Sequence, residues 1–356
     1  MANDAGPGPQ LLPDIWKYIY YPPEGKDYSY FAHAAKYPFL AASVPEAQRY
    51  LVKAAWAADA AMLAYGRCGE APMPPDKFNA YFTQAGFSKP ELIGDWTPDA
   101  KGTQGYFATS SNSQFAVLSF RGTERKDPTD LLAELNALQS DEPEHAAPAA
   151  APQGPAASIV DRVVQGTKDF LFHTSRVHAG FQRALDQVWT KVDKLLNEFR
   201  SSHPQAEIVF TGHSLGAALA TLAVNRFQGA GASLYTIGSP RVGNKTFCDS
   251  VHRQTGGRVF RFVNHHDLVT HVPIKAPMYQ HVEEQGYVID PSGELSLGNE
   301  DASSDLKTLS EFGVEMLSKG KLFDLNSQAP PQLVDHSPGR YCMLLRYHLE
   351  HHVAPV

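Results

Sequence analysis

The sequence predicts an α/β fold, with a mostly parallel central sheet flanked by helices. Short apolar runs rich in β-favouring residues lie at 115–120, 207–210, 233–237 and 258–263. A stripe of apolar residues at helical spacing covers 181–199, just before the second of these runs. Strands that alternate with helices are typical of parallel sheets, because each crossover between parallel strands carries a helix.

The remaining segments predict one domain, 1–356, with additions to its core. Residues 1–109 are expected to form an irregular N-terminal arm and helices packed on the core, with a helix at 46–65. A short amphipathic helix is predicted at 131–138. The Ala/Pro-rich stretch 140–158 favours a surface excursion, because that composition cannot pack a core.

Composition limits the kinds of partner that this protein can have. The chain has 356 residues, is 43% hydrophobic and carries a formal net charge of −7, which argues against nucleic acid as a partner. It contains no run of about 18 apolar residues, so no transmembrane segment is expected. Three scattered cysteines and an N-terminus without a secretory signal favour a cytoplasmic or non-classically secreted protein.

A G-x-S-x-G motif lies between the predicted strand at 207–210 and a helix that begins at Leu215. A serine on so sharp a turn needs small neighbours, and glycine at 212 and 216 supplies them on both sides. The turn would lift the Ser214 hydroxyl above the sheet and direct the first helix amides to the same place. The motif therefore predicts a nucleophilic serine, the alternative being an ordinary serine N-cap.

A nucleophilic serine needs a base, and the base needs an acid that orients it. Asp267 is the favoured acid because it follows the predicted strand 258–263, at the sheet edge where ligands bind. Asp249 competes but lies in a predicted helix. His336 is the favoured base because Gly and Pro around it predict a loop. The other histidines weighed for this role are His281, expected to be a structural hydrogen-bonder, and His348, His351 and His352, expected to be exposed in a terminal tail.

A metal centre is the rival interpretation of the same region. His265, His266, Asp267 and His271 are close in sequence and carry ligand types that zinc accepts. They straddle a strand end, however, where successive side chains point in opposite directions. No metal or other cofactor is therefore expected.

Several motifs, in order, resemble those of the class 3 (fungal-type) lipases, which have the α/β-hydrolase fold. They are FRGT at 120–123, VHAGF at 177–181, GHSLGAALA at 212–220, GSPRVGN at 238–244 and NHHDLVTHVP at 264–273, followed by Asp335-His336 and Tyr341. The resemblance implies that Ser214 attacks an ester carbonyl, His336 transfers the proton and Asp267 orients the imidazole. It also implies an oxyanion hole formed by the backbone N–H groups of Thr123 and Leu215.

The resemblance further implies a triacylglycerol lipase that works through an acyl-enzyme intermediate at a lipid–water interface. An esterase or phospholipase A1 acting on other acyl esters, and a non-catalytic lipid-binding relative, are the alternatives. The chain departs from the family in a long segment, 124–176, which we expect to be a lid or insertion, and in a second insertion, 290–330. Since it lacks the signal and disulfides usual in secreted fungal members, it looks more like a bacterial member.

Overall fold

The computed structural model describes residues 28–68, 71–97, 100–123, 175–299, 304–311 and 331–356. The predicted helix at 131–138 and the Ala/Pro-rich stretch lie outside these residues. So does most of the expected lid, and the second insertion is described in part.

Ten strands are found in the described residues, and eight of them form one sheet in the order β10-β9-β8-β7-β6-β5-β4-β3. The strands are β1 (Arg67–Cys68), β2 (Ala71–Pro72), β3 (Glu91–Ile93), β4 (Gly105–Thr109), β5 (Phe115–Phe120), β6 (Glu207–His213), β7 (Ala232–Ile237), β8 (Val259–Asn264), β9 (Gln285–Ile289) and β10 (Leu295–Asn299). Strands β5 to β9 run parallel, and the pairs at the two edges are antiparallel. The predicted mostly parallel sheet is confirmed.

Helices cover both faces of this sheet. They are α1 (Arg49–Leu63), α2 (Pro75–Gln84), α3 (Ala179–Asp186), α4 (Trp189–Ser202), α5 (Leu215–Arg226), α6 (Lys245–Thr255), α7 (Pro331–Val334) and α8 (Pro338–His352), with 3-10 turns at Glu46–Gln48 and Leu268–His271. One core joins α1 and α8 to one face, and a second core joins α3, α4 and α5 to the other. No helix of the described residues is both long enough and apolar enough to cross a bilayer.

Helix α1 is buried along almost its whole length. It is rich in alanine, and these small side chains let it lie close to the central strands while α8 packs beside it. Its single carboxylate, Asp59, is also buried and accepts hydrogen bonds from the Tyr28 hydroxyl and the Phe31 amide, both at 2.6 Å. Arg346 of α8 lies 3.1 Å from the same carboxylate. One buried charge therefore joins the N-terminal residues to the last helix.

Two features differ from the sequence prediction. The apolar stripe at 181–199 belongs to two helices, α3 and α4, which are separated by a turn in which the Val188 amide donates to the Leu185 carbonyl at 3.0 Å. The residues before 110, predicted as an arm and helices, also supply strands β3 and β4 of the main sheet.

The parallel strands bring separate parts of the chain to one edge of the sheet. The last residue of β6, His213, is level with Ile237 of β7, and Ile237 is level with Phe262 of β8. Because these strands point the same way, the residues that follow β6 and β8 emerge side by side. Ser214 follows β6 and Asp267 lies three residues after β8, so both lie at this edge.

Candidate active site

Ser214 has the strained backbone that its motif predicts. Its φ of 59° and ψ of −129° lie in a region that residues other than glycine rarely occupy. A Cβ on Gly212 would overlap the backbone of Gly216, and a Cβ on Gly216 would overlap the carbonyl oxygen of Phe120. The two glycines are therefore required by the close approach of helix α5 to strands β5 and β6. Such strain costs about 1–3 kcal/mol and is held by the surrounding structure.

The residues expected to form the oxyanion hole flank this turn. Leu215 is the first residue of α5, so its amide has no partner within the helix. Thr123 follows Gly122, where an added Cβ would lie 3.2 Å from the Ser214 Cβ. The segment that carries Thr123 therefore packs on the serine turn through Gly122, and Leu215 directly follows Ser214. The role of Thr123 and Leu215 as donors to an oxyanion stays a prediction.

Asp267 is fully buried at the start of the 3-10 turn Leu268–His271, and its Oδ1 accepts from the Val269 amide at 2.9 Å. Gly238, after β7, allows this placement, because a Cβ there would lie 2.7 Å from Asp267 Oδ2. Its φ of +57° also suits glycine. The acid thus lies at the same sheet edge as Ser214.

His336 lies in the turn between α7 and α8, and its ring is buried. Its Nδ1 lies 2.9 Å from both carboxylate oxygens of Asp267, although 69 residues separate the two in sequence. Because an ionised carboxylate can only accept, Nδ1 carries the proton and Nε2 of the neutral ring holds a lone pair. The structure thus joins the predicted acid to the predicted base in the orientation that base catalysis needs.

Among the three predicted catalytic residues, two buried side-chain atoms have no hydrogen-bond partner in the described part of the chain. They are the Ser214 hydroxyl oxygen and His336 Nε2. The His336 ring lies 4.4 Å, between centroids, from the ring of His213, the residue directly before Ser214. A buried polar atom without a partner needs an explanation, and a catalytic role is one such explanation. The assignment of Ser214, Asp267 and His336 as catalytic residues stays a prediction.

His213 connects the serine turn to the histidine turn. Its Nε2 donates to the His336 carbonyl at 2.8 Å, and its Nδ1 therefore accepts from the Tyr65 hydroxyl, also at 2.8 Å. Burial, with a smaller effect from His336, lowers the pKa of His213 well below its ordinary value. His213 thus stays neutral and acts as a positioning residue. Nothing local in the sequence marks Tyr65, which follows α1 and lies 148 residues away, as the partner of His213.

Tyr341 supports the acid. Its hydroxyl donates to Asp267 Oδ2 at 2.7 Å and accepts from the Asn264 amide at 2.8 Å. Burial, and then the Asp267 charge, raises the pKa of Tyr341 well above its ordinary value, so it remains a donor at every working pH. Tyr341 was among the residues that resemble the family, but the sequence did not predict its hydrogen bond to Asp267.

The competing acid and histidines have other partners. Asp249 forms an exposed ion pair with Lys245 on α6, at 2.8 Å. His281 Nε2 donates to the Thr270 carbonyl at 2.8 Å, as expected of a structural hydrogen-bonder. The expectation of an exposed terminal tail was wrong for His348, because these residues form α8 and its inner face is buried against α1 and the sheet.

The rival metal interpretation is not supported in the form that the sequence suggested. Asp267 pairs with His336, and His271 Nδ1 lies 3.0 Å from Asp305. The side chains of His265 and His266 instead face Asp335, with potential ligand atoms within 4.8 Å of one another. The four clustered residues therefore divide among three different contacts.

A mostly parallel sheet with a strained serine turn after β6 and a buried Asp–His pair beside it is the arrangement of the α/β-hydrolase fold. Residues 117–276 match the family model described as lipase (class 3). This match covers Ser214 and Asp267 and ends before His336. These findings support the class 3 lipase family for this chain.

The similar proteins are fungal. A secreted mono- and diacylglycerol lipase A of Penicillium cyclopium is 35% identical over 133 residues, 36% of this chain and 41% of that protein. A lipase of Rhizopus niveus is 28% identical over 223 residues, 61% of this chain and 49% of that protein. The chain thus spans less than half the length of both relatives. A solved structure of the Rhizomucor miehei lipase propeptide complex supports the fold, with a TM-score of 0.50, 18% identity and 86% of each chain covered.

Two expectations need correction. A bacterial member is not supported, because the relatives come from fungi. A cytoplasmic or non-classically secreted protein was the wrong expectation, because relatives from Penicillium, Fusarium and Malassezia are named as secreted lipases. That expectation rested on the composition of the first residues and on scattered cysteines, and neither feature determines where a protein acts.

Proposed function

We propose that this protein is a serine ester hydrolase that acts on acylglycerols. The observation that carries the proposal is the buried Asp267–His336 hydrogen bond beside the strained Ser214. It leaves one lone pair, on His336 Nε2, at the sheet edge that also carries the Ser214 hydroxyl, and neither atom has a hydrogen-bond partner among the described residues. A serine with a nearby base that is itself oriented by an acid is the arrangement that acyl transfer requires.

In the proposed reaction, Ser214 Oγ attacks the ester carbonyl carbon while His336 Nε2 takes the hydroxyl proton. The imidazolium then gives this proton to the leaving alcohol as the carbon–oxygen bond breaks, which leaves the acyl group on Ser214. A water molecule attacks this intermediate by the same steps and releases the fatty acid. Asp267 stabilises the imidazolium, and Tyr341 and the Val269 amide hold Asp267 in place.

The negative charge that develops on the carbonyl oxygen needs donors at the start of α5. We assign this role to the backbone N–H groups of Leu215 and Thr123, with the Thr123 hydroxyl as a further donor. Leu215 contributes because it is the first residue of its helix, where an amide is without an intrahelical partner. Each such donor is worth about 3 kcal/mol of barrier.

The relatives support acylglycerols as the substrate class, since several are named mono- and diacylglycerol lipases. Their names also favour action outside the cell, at a lipid–water interface. Within a single domain, 1–356, we assign 124–176 as a lid that would uncover the acyl groove, or an insertion beside such a lid, and 290–330 as a second insertion. Both assignments rest on the sequence.

The direct test measures fatty acid release from emulsified triacylglycerol and diacylglycerol, with Ser214→Ala as the inactive variant. Ser239→Ala is the matched control, because Ser239 is a buried serine at the end of the neighbouring strand and its hydroxyl donates to the Pro240 carbonyl at 2.9 Å. We expect activity in the native protein and the control, and none in Ser214→Ala.

Equal activity of Ser214→Ala and the native protein would refute the proposal. Parallel assays on phosphatidylcholine and on soluble short-chain p-nitrophenyl esters separate the substrate classes. Hydrolysis of the short soluble esters alone would assign the protein as an esterase. Labelling of Ser214 by an organophosphonate, followed by mass spectrometry, distinguishes a catalyst from a lipid-binding relative.

A further inference from the structure

A second cluster of potential metal ligands lies away from the serine edge, between the β9–β10 hairpin and the last helix, α8. It consists of the Glu294 carboxylate and the imidazoles of His348 and His352, with ligand atoms all within 4.8 Å of one another. We propose that these three residues form a zinc site that ties the hairpin to the helix.

The two histidines are placed by the helix itself. His348 and His352 are four residues apart on α8 and therefore lie on the same face, one turn apart. Their rings are stacked, with 4.2 Å between centroids and 29° between planes. Two histidines at this spacing on one helix face are a recurrent way of binding zinc.

His348 is held in one orientation before any metal binds. The residue is only 7% exposed, and its Nδ1 donates to the Gly293 carbonyl at 3.0 Å. That bond fixes the tautomer and directs the lone pair to Nε2. Histidines that bind metals usually donate their other ring N–H to a carbonyl or carboxylate, which is the arrangement seen here.

Glu294 is held by the turn of the hairpin. Asp290 Oδ1 accepts from the Glu294 amide at 3.0 Å and from the Ser292 amide at 2.8 Å. Gly293 packs so closely on α8 that an added Cβ would lie 2.6 Å from the Tyr347 ring. The carboxylate therefore starts from a backbone fixed against the helix, which reduces the entropy lost when a ligand binds.

The distances and ligand types suit zinc. Glu294 Oε1 lies 3.1 Å from His352 Nε2. Two ligands of one tetrahedral zinc, at bond lengths of about 2.0 Å, lie about 3.3 Å apart. Two imidazoles, one carboxylate and a water molecule complete a common zinc coordination. An exposed His–Glu ion pair alone would explain that contact, but it does not explain the buried and oriented His348.

The other histidine cluster is less suited to a metal. Its carboxylate, Asp335, already lies 3.4 Å from Arg340 and accepts from the His266 amide at 3.3 Å. A cation there would meet the Arg340 charge. That cluster nevertheless supplies a control for the zinc experiment, because it also consists of two histidines and one carboxylate.

Zinc at the proposed site would stabilise the folded protein. Helix α8 begins two residues after His336, and His348 lies ten residues further along it, about 15 Å along the axis. At this distance the ion takes no part in ester hydrolysis. It would instead secure the far end of the helix that carries Tyr341. The proposal is therefore independent of the catalytic one.

The test is isothermal titration calorimetry, in which zinc chloride is added to the full chain after metals have been removed with EDTA and dialysis. We expect one site per chain that includes these ligands, and a higher Tm in the presence of zinc. Glu294→Gln and His352→Ala change exposed side chains, so the fold is retained, and each should weaken zinc binding at least ~10-fold. Cobalt in place of zinc should give the visible absorption of a tetrahedral site.

His351→Ala is the matched control on the same helix. His351 is exposed, its Nδ1 bonds the Tyr347 carbonyl at 2.8 Å, and it lies outside the cluster. Zinc binding should persist in this variant and in His266→Ala. Absence of zinc binding, or equal affinity in His352→Ala, Glu294→Gln and His351→Ala, would overturn the proposal. Loss of binding in His266→Ala alone would assign the ion to the other cluster and overturn it equally.

Discussion

Two buried histidine–aspartate pairs lie close together in this protein, and their environments differ. His336 Nδ1 lies 2.9 Å from Asp267, and His271 Nδ1 lies 3.0 Å from Asp305. Both carboxylates are fully buried. His271 is the last residue of the 3-10 turn that Asp267 begins. By distance and burial alone, neither pair stands out as the catalytic one.

The third partner of each carboxylate separates the two pairs. Asp305 forms a fully buried ion pair with Arg241 at 2.9 Å, and Asp267 instead accepts from the neutral Tyr341 hydroxyl. Burial opposes the charge of Asp305, but hydrogen bonds from His271, the Lys275 amide and Arg241 together lower its pKa. The Asp305 charge is thus matched by an arginine, whereas the Asp267 charge is available to an imidazolium. We therefore expect the neighbours of each carboxylate to decide whether its His–Asp pair serves structure or catalysis.

Removing each histidine should give the largest difference between the pairs. We expect His336→Ala to lower kcat about 10⁶-fold, because the proposed base is lost. His271→Ala should retain kcat within about 10-fold, with a loss of stability. Steady-state hydrolysis of a p-nitrophenyl ester, with urea unfolding for each variant, measures both effects. Equal kcat losses would show that the comparison is wrong.

The two aspartates provide the next largest contrast. Asp267→Asn should lower kcat about 10⁴-fold, because an amide no longer holds the imidazole in the required tautomer. Asp305→Asn should lower the free energy of unfolding by about 3–5 kcal/mol, since it leaves the Arg241 charge buried without its partner. Steady-state kinetics and chemical denaturation of both variants test these expectations. A large loss of kcat in Asp305→Asn but not in Asp267→Asn would show that Asp305, not Asp267, orients the catalytic histidine.

A third buried histidine near a carboxylate sharpens the comparison through pH. His33 lies 3.6 Å from Asp59, and burial lowers its pKa to about 4 despite the opposite effect of Asp59. In the unfolded chain, His33 would titrate near its ordinary value of about 6.5. Below that pH the unfolded state binds the proton first, so stability falls as pH decreases towards 4, by about 3 kcal/mol in total.

Urea unfolding at pH 7 and pH 4.5 measures this effect. His33→Gln should be less sensitive to acid than the native protein across that interval. If the free energy of unfolding falls between pH 7 and pH 4.5 by the same amount in His33→Gln as in the native protein, His33 makes no contribution to the acid sensitivity.

The smallest effect is expected for the tyrosine that supports Asp267. Tyr341→Phe removes one hydrogen bond to the carboxylate and should cost about 1 kcal/mol of stability, with kcat reduced by no more than about 10-fold. Tyr106→Phe is the matched control, because its buried hydroxyl donates to the Ala60 carbonyl at 2.8 Å. The control should lose similar stability without a change in kcat.

The sequence predicted those parts of the molecule that depend on neighbours along the chain. Strand β5 and the serine turn were visible because apolar runs and flanking glycines are local signals. The position of His336 was also visible, since Pro and Gly around it predicted a loop. Its contact with Asp267 spans 69 residues and needs the parallel order of the sheet.

Partners that come from distant segments could not be predicted. Tyr65 contacts His213 because α1 packs across the central strands. The sequence of α1 predicts a helix, but it does not predict which strands the helix packs against. Burial of His348 was missed because a run of histidines near the chain end suggests a solvated tail, whereas α1 and the sheet cover one side of that helix. Arg241 and Asp305 are 64 residues apart, and nothing local marks them as an ion pair.

The joining of α1 to α8 makes the beginning of the chain a support for its end. The Val356 amide donates to the Lys36 carbonyl at 2.9 Å, the Tyr37 hydroxyl donates to the Val353 carbonyl at 3.0 Å, and Arg346 binds Asp59. A protease cut between residues 40 and 48 would therefore loosen the segment that holds the C-terminal helix. Ester hydrolysis would decline although the severed residues are remote from the serine.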